Sequence, residues 1–272
     1  MFSTNKGYVR EYGVRNGPVM HTSPNLNSNA LLFSDAGQPW YSFMVYRTAG
    51  IFRSQDEINK YIYKNPETGE AKLLMPDAKV GDLIFVDTNN DGVINDDDKV
   101  FAGSYTPKNT FSFGGSFDWK GFDFSFFFQG VTGNKIYNGL KQMAMNGRND
   151  YGNLISDVLD TWDFNPESSK YPRLGLVTGS DTNGNYTKFS DLFLEDGDYL
   201  RLKNITLGYT LPEKVCRFVG MKSGSLRVYM SVDNVCTITG YTGVDPEVGN
   251  YGIDRGVYPV TRFFNFGVNV NF

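Results

Sequence analysis

Apolar and polar residues alternate with a period of two along several stretches of this chain. From Thr110 to Lys120 the run TFSFGGSFDWK puts Phe111, Phe113, Phe117 and Trp119 on one face. Ser112, Gly114, Ser116, Asp118 and Lys120 fall on the other. Successive side chains of an extended strand point to opposite faces, so this spacing predicts a two-faced strand. The next run, GFDFSFFFQG, groups Phe122, Phe124, Phe126 and Phe128 against Asp123, Ser125 and Gln129, with Phe127 interrupting the polar face. Lys120-Gly121 between the runs predicts a short hairpin turn. Ile205, Leu207, Tyr209 and Leu211 share a face. Leu226, Val228, Met230 and Val232 alternate with Arg227, Tyr229, Ser231 and Asp233. At the C-terminus Phe264, Phe266, Val268, Val270 and Phe272 alternate with Asn265, Gly267, Asn269 and Asn271. Trp40 to Arg47 is expected to add an outward-running strand, residues 6–34 one or two more, and Gln55 to Tyr63 a short surface helix.

The connections sort by length. Lys120-Gly121 and Pro212 to Gly224 are short or moderate. The stretches 48–108, 132–197 and 238–259 are long and rich in Asp, Asn, Gly and Tyr. Compact soluble domains rarely carry structureless loops of this length, whereas outer-membrane barrels carry them on the outer side only. If the last strand runs inward, strand parity puts all three long stretches outside and both shorter turns inside. The pattern therefore predicts an all-β fold: an antiparallel transmembrane β-barrel segment with 48–108, 132–197 and 238–259 as extracellular loops.

Composition agrees. The 272 residues include 22 Phe, 17 Tyr and 30 Gly, yet mean hydropathy is only −0.36. A wall that faces lipid on one side and water on the other combines these properties. No window holds eighteen consecutive apolar residues, so a transmembrane helix is excluded. A net charge of −4 and a pI near 5.1 argue against a nucleic-acid partner. The first residues, MFSTNKGYVREYG, show no apolar core of a signal peptide. Cys216 and Cys236 are expected at opposite ends of a strand about 35 Å long, too far apart for a disulfide.

No catalytic constellation stands out, and the chain is expected not to be an enzyme. His21 is its single histidine and lies near no nucleophile motif. Asp191 with Glu195, or Asp245 with Glu247, has the chemistry of a glycosidase dyad, but solvated loop carboxylates are the expected reading. Trp119, Phe122, Trp40 and Tyr41 are expected in interfacial aromatic belts. Tyr137, Tyr151, Trp162, Tyr186, Tyr241 and Tyr251 are expected to pack the loops rather than to stack on sugars.

Two motifs carry more specific chemistry. Asp87 to Asp98 reads DTNNDGVINDDD, the D-x-[DN]-x-[DN]-G spacing of a Ca²⁺ loop, with Asp98 where Glu is usual. Asp87, Asn89, Asp91, Asn95 and Asp98 would supply side-chain oxygens and Val93 its carbonyl, a hard-oxygen set suited to structural Ca²⁺. The last eight residues fit polar-x-Gly-x-x-apolar-x-apolar through Asn265, Gly267, Val270 and the terminal Phe272. This resembles the signal read by the barrel-assembly machinery of Gram-negative bacteria, where an exposed strand edge adds to another by main-chain bonds.

Taken together, these residues resemble the C-terminal part of a SusC/RagA-type TonB-dependent outer-membrane transporter. The resemblance rests on Gly81 to Asn95 (GDLIFVDTNNDGVIN), Lys120 to Gly130, Leu194 to Pro212 (LEDGDYLRLKNITLGYTLP), Asp233-Asn234, Tyr241 to Glu247 and Gly252 to Pro259. Gly50 to Ile58 fits an upstream element, and the match spans about residues 38–272. It implies the last strands of a 22-stranded barrel filled by a plug. It also implies TonB-powered import of oligosaccharides or peptides across a Gram-negative outer membrane, with a SusD-like surface lipoprotein as lid. Plug, TonB box and the first part of the barrel are not in this sequence. The strands read here are too few to close such a barrel, so a gene fragment or one piece of a split protein is expected. A secreted Ca²⁺-binding all-β glycan-binding or adhesion module is the alternative, and it would bury its apolar face against a second sheet.

Overall fold

The computed structural model describes residues 1–11, 19–21, 32–147, 153–174, 181–218 and 224–271. Among these, the largest sheet is a wall of six strands. They are β1 (Phe2–Thr4), β2 (Asn109–Trp119), β3 (Phe122–Thr132), β4 (Tyr199–Thr210), β5 (Ser225–Thr239) and β6 (Phe263–Asn271). Each pairs antiparallel with the next in chain order, which makes an up-and-down meander. The Lys120-Gly121 turn has both residues left-handed, at φ 48° and 88°. That is the geometry whose twist matches a tight hairpin, and glycine meets it without a Cβ penalty.

The register lines the two faces up across the whole wall. One row runs Phe117, Phe124, Leu207, Met230, Phe266. The next runs Trp119, Phe122, Tyr209, Val228, Val268. The rows that alternate with them carry Ser116, Ser125, Thr206, Ser231 and Asn265, then Asp118, Asp123, Gly208, Tyr229 and Gly267. Among the described residues nothing covers the apolar face: Phe117 is 63% exposed, Phe266 77% and Val268 60%. A β-sandwich would bury these rows against a second sheet.

Polar-face side chains cross-link the strands. Arg227 pairs with Asp123 across β4, passing over Gly208. Its guanidinium also sits 4.9 Å from the Tyr229 ring. The Tyr229 ring lies on Gly267, where a Cβ would stand 2.4 Å from ring carbons. Asn204 donates to Asp233 at 2.6 Å, and Asn265 donates to Ser231 and Asp233 at 3.3 and 3.0 Å.

The three long stretches are not structureless. Together with residues 32–46 they hold both hydrophobic cores, and the wall strands contribute to neither. One core gathers Phe43, Val45, Tyr137, Met145, Tyr186, Phe193 and Ile253. The other gathers Tyr46, Phe52, Ile58, Met75, Leu83 and Phe85. The expected helix forms at Gln55–Lys60, where the Ser54 hydroxyl accepts from Glu57 N and the Glu57 carboxylate accepts from Arg53 N. Within 6–34, short strands form at Val19–His21 and Leu32–Ser34.

The strand expected at Trp40 to Arg47 needs correction. Ser42–Tyr46 does form a strand, but it pairs with Lys99–Ser104 in a four-stranded sheet of the loop layer. Phe43 and Val45 on one face and Ser42 on the other are all within 1% of full burial. A wall strand shows one face to the surroundings, and this strand shows neither. The place beside β2 is taken instead by Phe2–Thr4.

The seating of Tyr229 on Gly267 makes a measurable prediction. Gly267→Val should lower unfolding stability by about 1–3 kcal/mol through overpacking. In a Tyr229→Ala background the same change should cost much less, because the clash is gone. Equal costs in the two backgrounds, measured by denaturant unfolding, would show that the ring does not need the glycine.

Candidate functional site

The Asp/Asn loop follows the strand Leu83–Phe85 and ends in a single turn of 3₁₀ helix at Asp96–Asp98. Its side chains fold it on itself. Asp87 accepts from Asp91 N at 3.2 Å and Gly92 N at 2.8 Å. Asn89 also accepts from Asp91 N, at 3.0 Å, and Asp91 accepts from Val93 N at 2.8 Å. Asn95 caps Asp97 N at 2.7 Å. Asp98 is fully buried, and its two oxygens accept from Thr88 N at 2.7 Å and Asn95 N at 2.9 Å. Gly92, at φ 80°, makes the sharp bend, and Ile94 packs against the second core. Among the described residues no three acidic, His or Cys side chains converge into a metal-sized cluster. A strand, Lys99–Ser104, follows the loop.

This loop is tied to the core from one side. Asp96 accepts from the Tyr46 hydroxyl at 2.7 Å and from the Lys99 ammonium at 2.9 Å. Those two donors hold the Asp96 carboxyl below the ordinary range. Burial, and then the Asp96 carboxylate, push the Tyr46 phenol up.

A second cluster was not foreseen from the sequence. It forms where the loop end of β4 meets residues 241–260. Arg201, 2% exposed, reaches Asp245 at 2.6 Å and Glu247 at 2.7 Å. Lys203 and the Tyr199 hydroxyl also reach Glu247, at 3.1 and 2.7 Å. Burial works to raise the Asp245 carboxyl. The N–H donors of Glu247 and Val260 and the Arg201 guanidinium outweigh it and leave it below the ordinary range.

The carboxylates expected as solvated are therefore structural ties. Asp191 accepts from Thr48 N at 3.1 Å and its hydroxyl at 2.6 Å. Glu195 accepts from Asn138 at 2.9 Å and from Thr242 N at 2.7 Å. With every such group engaged by a donor, neither pair offers the free acid and base of a dyad. A further buried pair, Arg173 with Asp82 at 2.6 Å, joins the stretch 132–197 to 48–108.

Three of the loop aromatics pack as expected, whereas Tyr251 is 46% exposed. Tyr137, Tyr186 and Tyr241 are 0%, 2% and 5% exposed. Tyr151 lies outside the described residues. Trp119 and Phe122 sit at the turn end of the wall and are exposed. Trp40 and Tyr41 lie in the loop layer rather than at a wall strand's end. Cys216 is buried in the helix Glu213–Phe218, and Cys236 is exposed on β5. Asn265, Gly267 and Val270 lie on β6, the first two on the polar face and Val270 on the apolar one. Phe272 lies outside the described residues.

No protein-family model matches the chain. It is 32% identical over 240 residues to TonB-dependent receptor P26 of Formosa agariphila, covering 82% of this chain and 22% of that receptor. It is 30% identical over 189 residues to TonB-dependent receptor SusC of Bacteroides thetaiotaomicron, covering 70% of this chain and 17% of SusC. All of this chain superposes on 26% of a chain in a structure of the RagAB peptide transporter, with a TM-score of 0.71 at 24% identity. The chain thus spans about a fifth of the length of the curated relatives it matches.

The Arg201 cluster generates a mutational and a pH prediction. Arg201→Ala leaves Asp245 without its cation and Glu247 with Lys203 alone. It should cost toward the lower end of about 3–5 kcal/mol, because both carboxylates keep some contact with water. Asp245 has a depressed pKa, so its contribution is complete above the ordinary carboxylate value of about 3.9 and is lost as pH falls below it. Protection of the amides of residues 241–260, taken as exchange rates divided by the intrinsic rate at each pH, should fall on acidification below that point and stay constant from pH 5 to 8. A loss of protection beginning near neutrality would contradict the assignment.

Proposed function

The chain belongs with the SusC/RagA-type TonB-dependent receptors, and from that premise we propose that it forms the C-terminal wall of a nutrient importer in a Gram-negative outer membrane. The observation that carries this reading is the continuous apolar face, in register from β2 to β6 and uncovered among the described residues. Hydrocarbon is the surrounding that stabilises such a face, and the polar face then lines the barrel's interior. The loop layer stands on the outer side. There a SusD-like surface lipoprotein closes over it, and import of oligosaccharides or peptides draws on the TonB complex through parts of the receptor beyond this sequence. The relatives' names and the RagAB likeness support this assignment of partners and cargo. No catalytic step is part of the role.

The C-terminal strand is the segment the barrel-assembly machinery reads, through Asn265, Gly267, Val270 and Phe272. Among the described residues β6 pairs on one side only, with β5. Its other edge has main-chain groups to offer a partner strand.

The loop Asp87–Asp98 binds Ca²⁺ in a structural role. Asp87, Asn89 and Asp91 supply side-chain oxygens, Val93 its carbonyl, and Asn95 and Asp98 close the site. The self-bonded loop supports this set, since carboxylate oxygens that accept N–H bonds keep a lone pair for a cation. The buried Asp98 must turn one oxygen toward the ion for the ligands to converge.

Two measurements test these assignments. Phe266→Lys puts a charge on the lipid side and should cost about 2–4 kcal/mol if it lies near the bilayer midplane, whereas Asn269→Lys faces the interior and should cost little. The readout is the fraction of the chain that inserts into lipid vesicles and shows heat-modifiable gel migration. Equal insertion of the two variants, or full solubility without detergent, would sink the membrane reading. For the loop, Ca²⁺ should raise the melting temperature by several degrees, as for any ligand of the native state. Asp87→Ala with Asp91→Ala should abolish that rise. No rise in the unmutated protein ends the calcium proposal and leaves the membrane reading intact.

A further inference from the structure

The segment Thr4–Glu11 crosses over a cavity of about 1270 Å³ at the loop end of the wall. It is pinned at both ends by main-chain bonds. Asn5 N donates to the Lys108 carbonyl at 2.7 Å. Val9 N donates to the Gln38 carbonyl, and Gly37 N to the Val9 carbonyl, both at 2.8 Å. Between the pins the strap spans open space. The floor comes from Ala102–Ser104, Thr106–Asn109, Gly133 and Lys135, with Trp40 at the rim.

The charge of this cavity runs against that of the chain. Overall, 30 acidic residues outnumber 26 basic ones. The cavity is lined by Lys6, Arg10, Lys108 and Lys135 and by one acid, Glu11. Lys135 is tied to Asp196 at 2.7 Å. Among the described residues Lys6, Arg10 and Lys108 are in no ion pair. Like charges gathered around one hollow repel each other, and an anion placed among them relieves that repulsion.

The rim supplies an aromatic surface. Trp40 is 48% exposed and meets Tyr41 edge-on at 5.4 Å. Tyr41 stacks on Tyr251 with centroids 4.7 Å apart and planes 5° from parallel. Both tyrosines hold left-handed backbone, at φ 53° and 57°. Residues other than glycine keep such a conformation only where the surroundings enforce it, and here the stacked pair stands beside Trp40 without itself lining the cavity.

We propose that this cavity binds an acidic oligosaccharide, with its carboxylate or sulfate groups among Lys6, Arg10 and Lys108 and one sugar ring against Trp40. A pyranose ring presents an apolar C–H face to an aromatic plane and hydroxyls to polar partners such as Gln38 and Asn109, which also line the hollow. An acidic peptide would satisfy the cations and leave the indole with no flat apolar face to meet. The inference deepens the import reading by naming a cargo class. It does not need membrane insertion to be measured.

The experiment is calorimetric titration of the detergent-solubilised full chain with trigalacturonate, maltotriose and triglutamate. Trigalacturonate should bind, weaken as salt is raised, and exceed maltotriose by at least about tenfold. Lys6→Ala with Lys108→Ala should weaken it by about tenfold or more, as expected on losing two charged hydrogen-bond donors. Lys6→Glu, a single change on the exposed strap, should do so as well, and Lys6→Arg should retain binding. Trp40→Ala should weaken trigalacturonate and leave any triglutamate binding unchanged. Absence of trigalacturonate binding, indifference to Lys6→Glu, or triglutamate binding as tight as trigalacturonate would each overturn the proposal. Such a result would leave the vesicle-insertion test untouched, and failed insertion would not erase binding in detergent.

Discussion

A sheet with one apolar and one polar face tolerates no slip in register, because a shift of one residue turns every side chain over. In this wall the phase is held by local devices. The left-handed Lys120-Gly121 turn sets β2 against β3 over eleven consecutive pairs. Aromatic neighbours such as Phe113 with Phe128, stacked at 4.8 Å, reinforce it on one face. The Asp123–Arg227 and Asn204–Asp233–Asn265 links reinforce it on the other. In hydrocarbon the main chain has no water to fall back on, so these pairings also satisfy its donors and acceptors.

The one place where the phase does slip is informative. The register shifts between Phe127 and Phe128 against β4, and between Leu202 and Asn204 against β5. Against β3, Lys203 is the extra residue of β4; against β5, Asn234 and Val235 together stand opposite Lys203, and Asn234 is left-handed at φ 52°. A bulge of this kind re-aims side chains. Here the strand below it continues the two-faced wall, and the strand above it carries Tyr199, Arg201 and Lys203 into the carboxylates of the last loop. The bulge thus marks the level where the two-faced sheet gives way to the packed loop layer.

That outer layer is built like a small soluble domain. Its cores are apolar, and its buried charges are paired: Arg173 with Asp82, Arg201 with Asp245 and Glu247, Asp96 with Lys99 and Tyr46. Such pairs add little net stability over apolar packing but are costly to break, which favours one arrangement of the loops over looser ones.

The sequence by itself determined five of the six strands of the wall, β2 to β6, and which residues share each face. Alternation is a relation between neighbours in the chain, and a strand's face follows from it directly. The same holds for the Lys120-Gly121 turn, the helix at Gln55–Lys60 and the self-bonding run at Asp87–Asp98, all set by residues within a few positions of one another. Only the tertiary structure decided where Ser42–Tyr46 belongs, because its alternation fits a wall strand and its burial on both faces does not. It alone turned Asp245 and Glu247 from loop carboxylates into partners of Arg201, which lies 44 and 46 positions away. It alone brought Lys6 and Arg10 to face Lys108 across a hollow. Burial and ion pairing depend on which distant segments meet, and no local pattern records that.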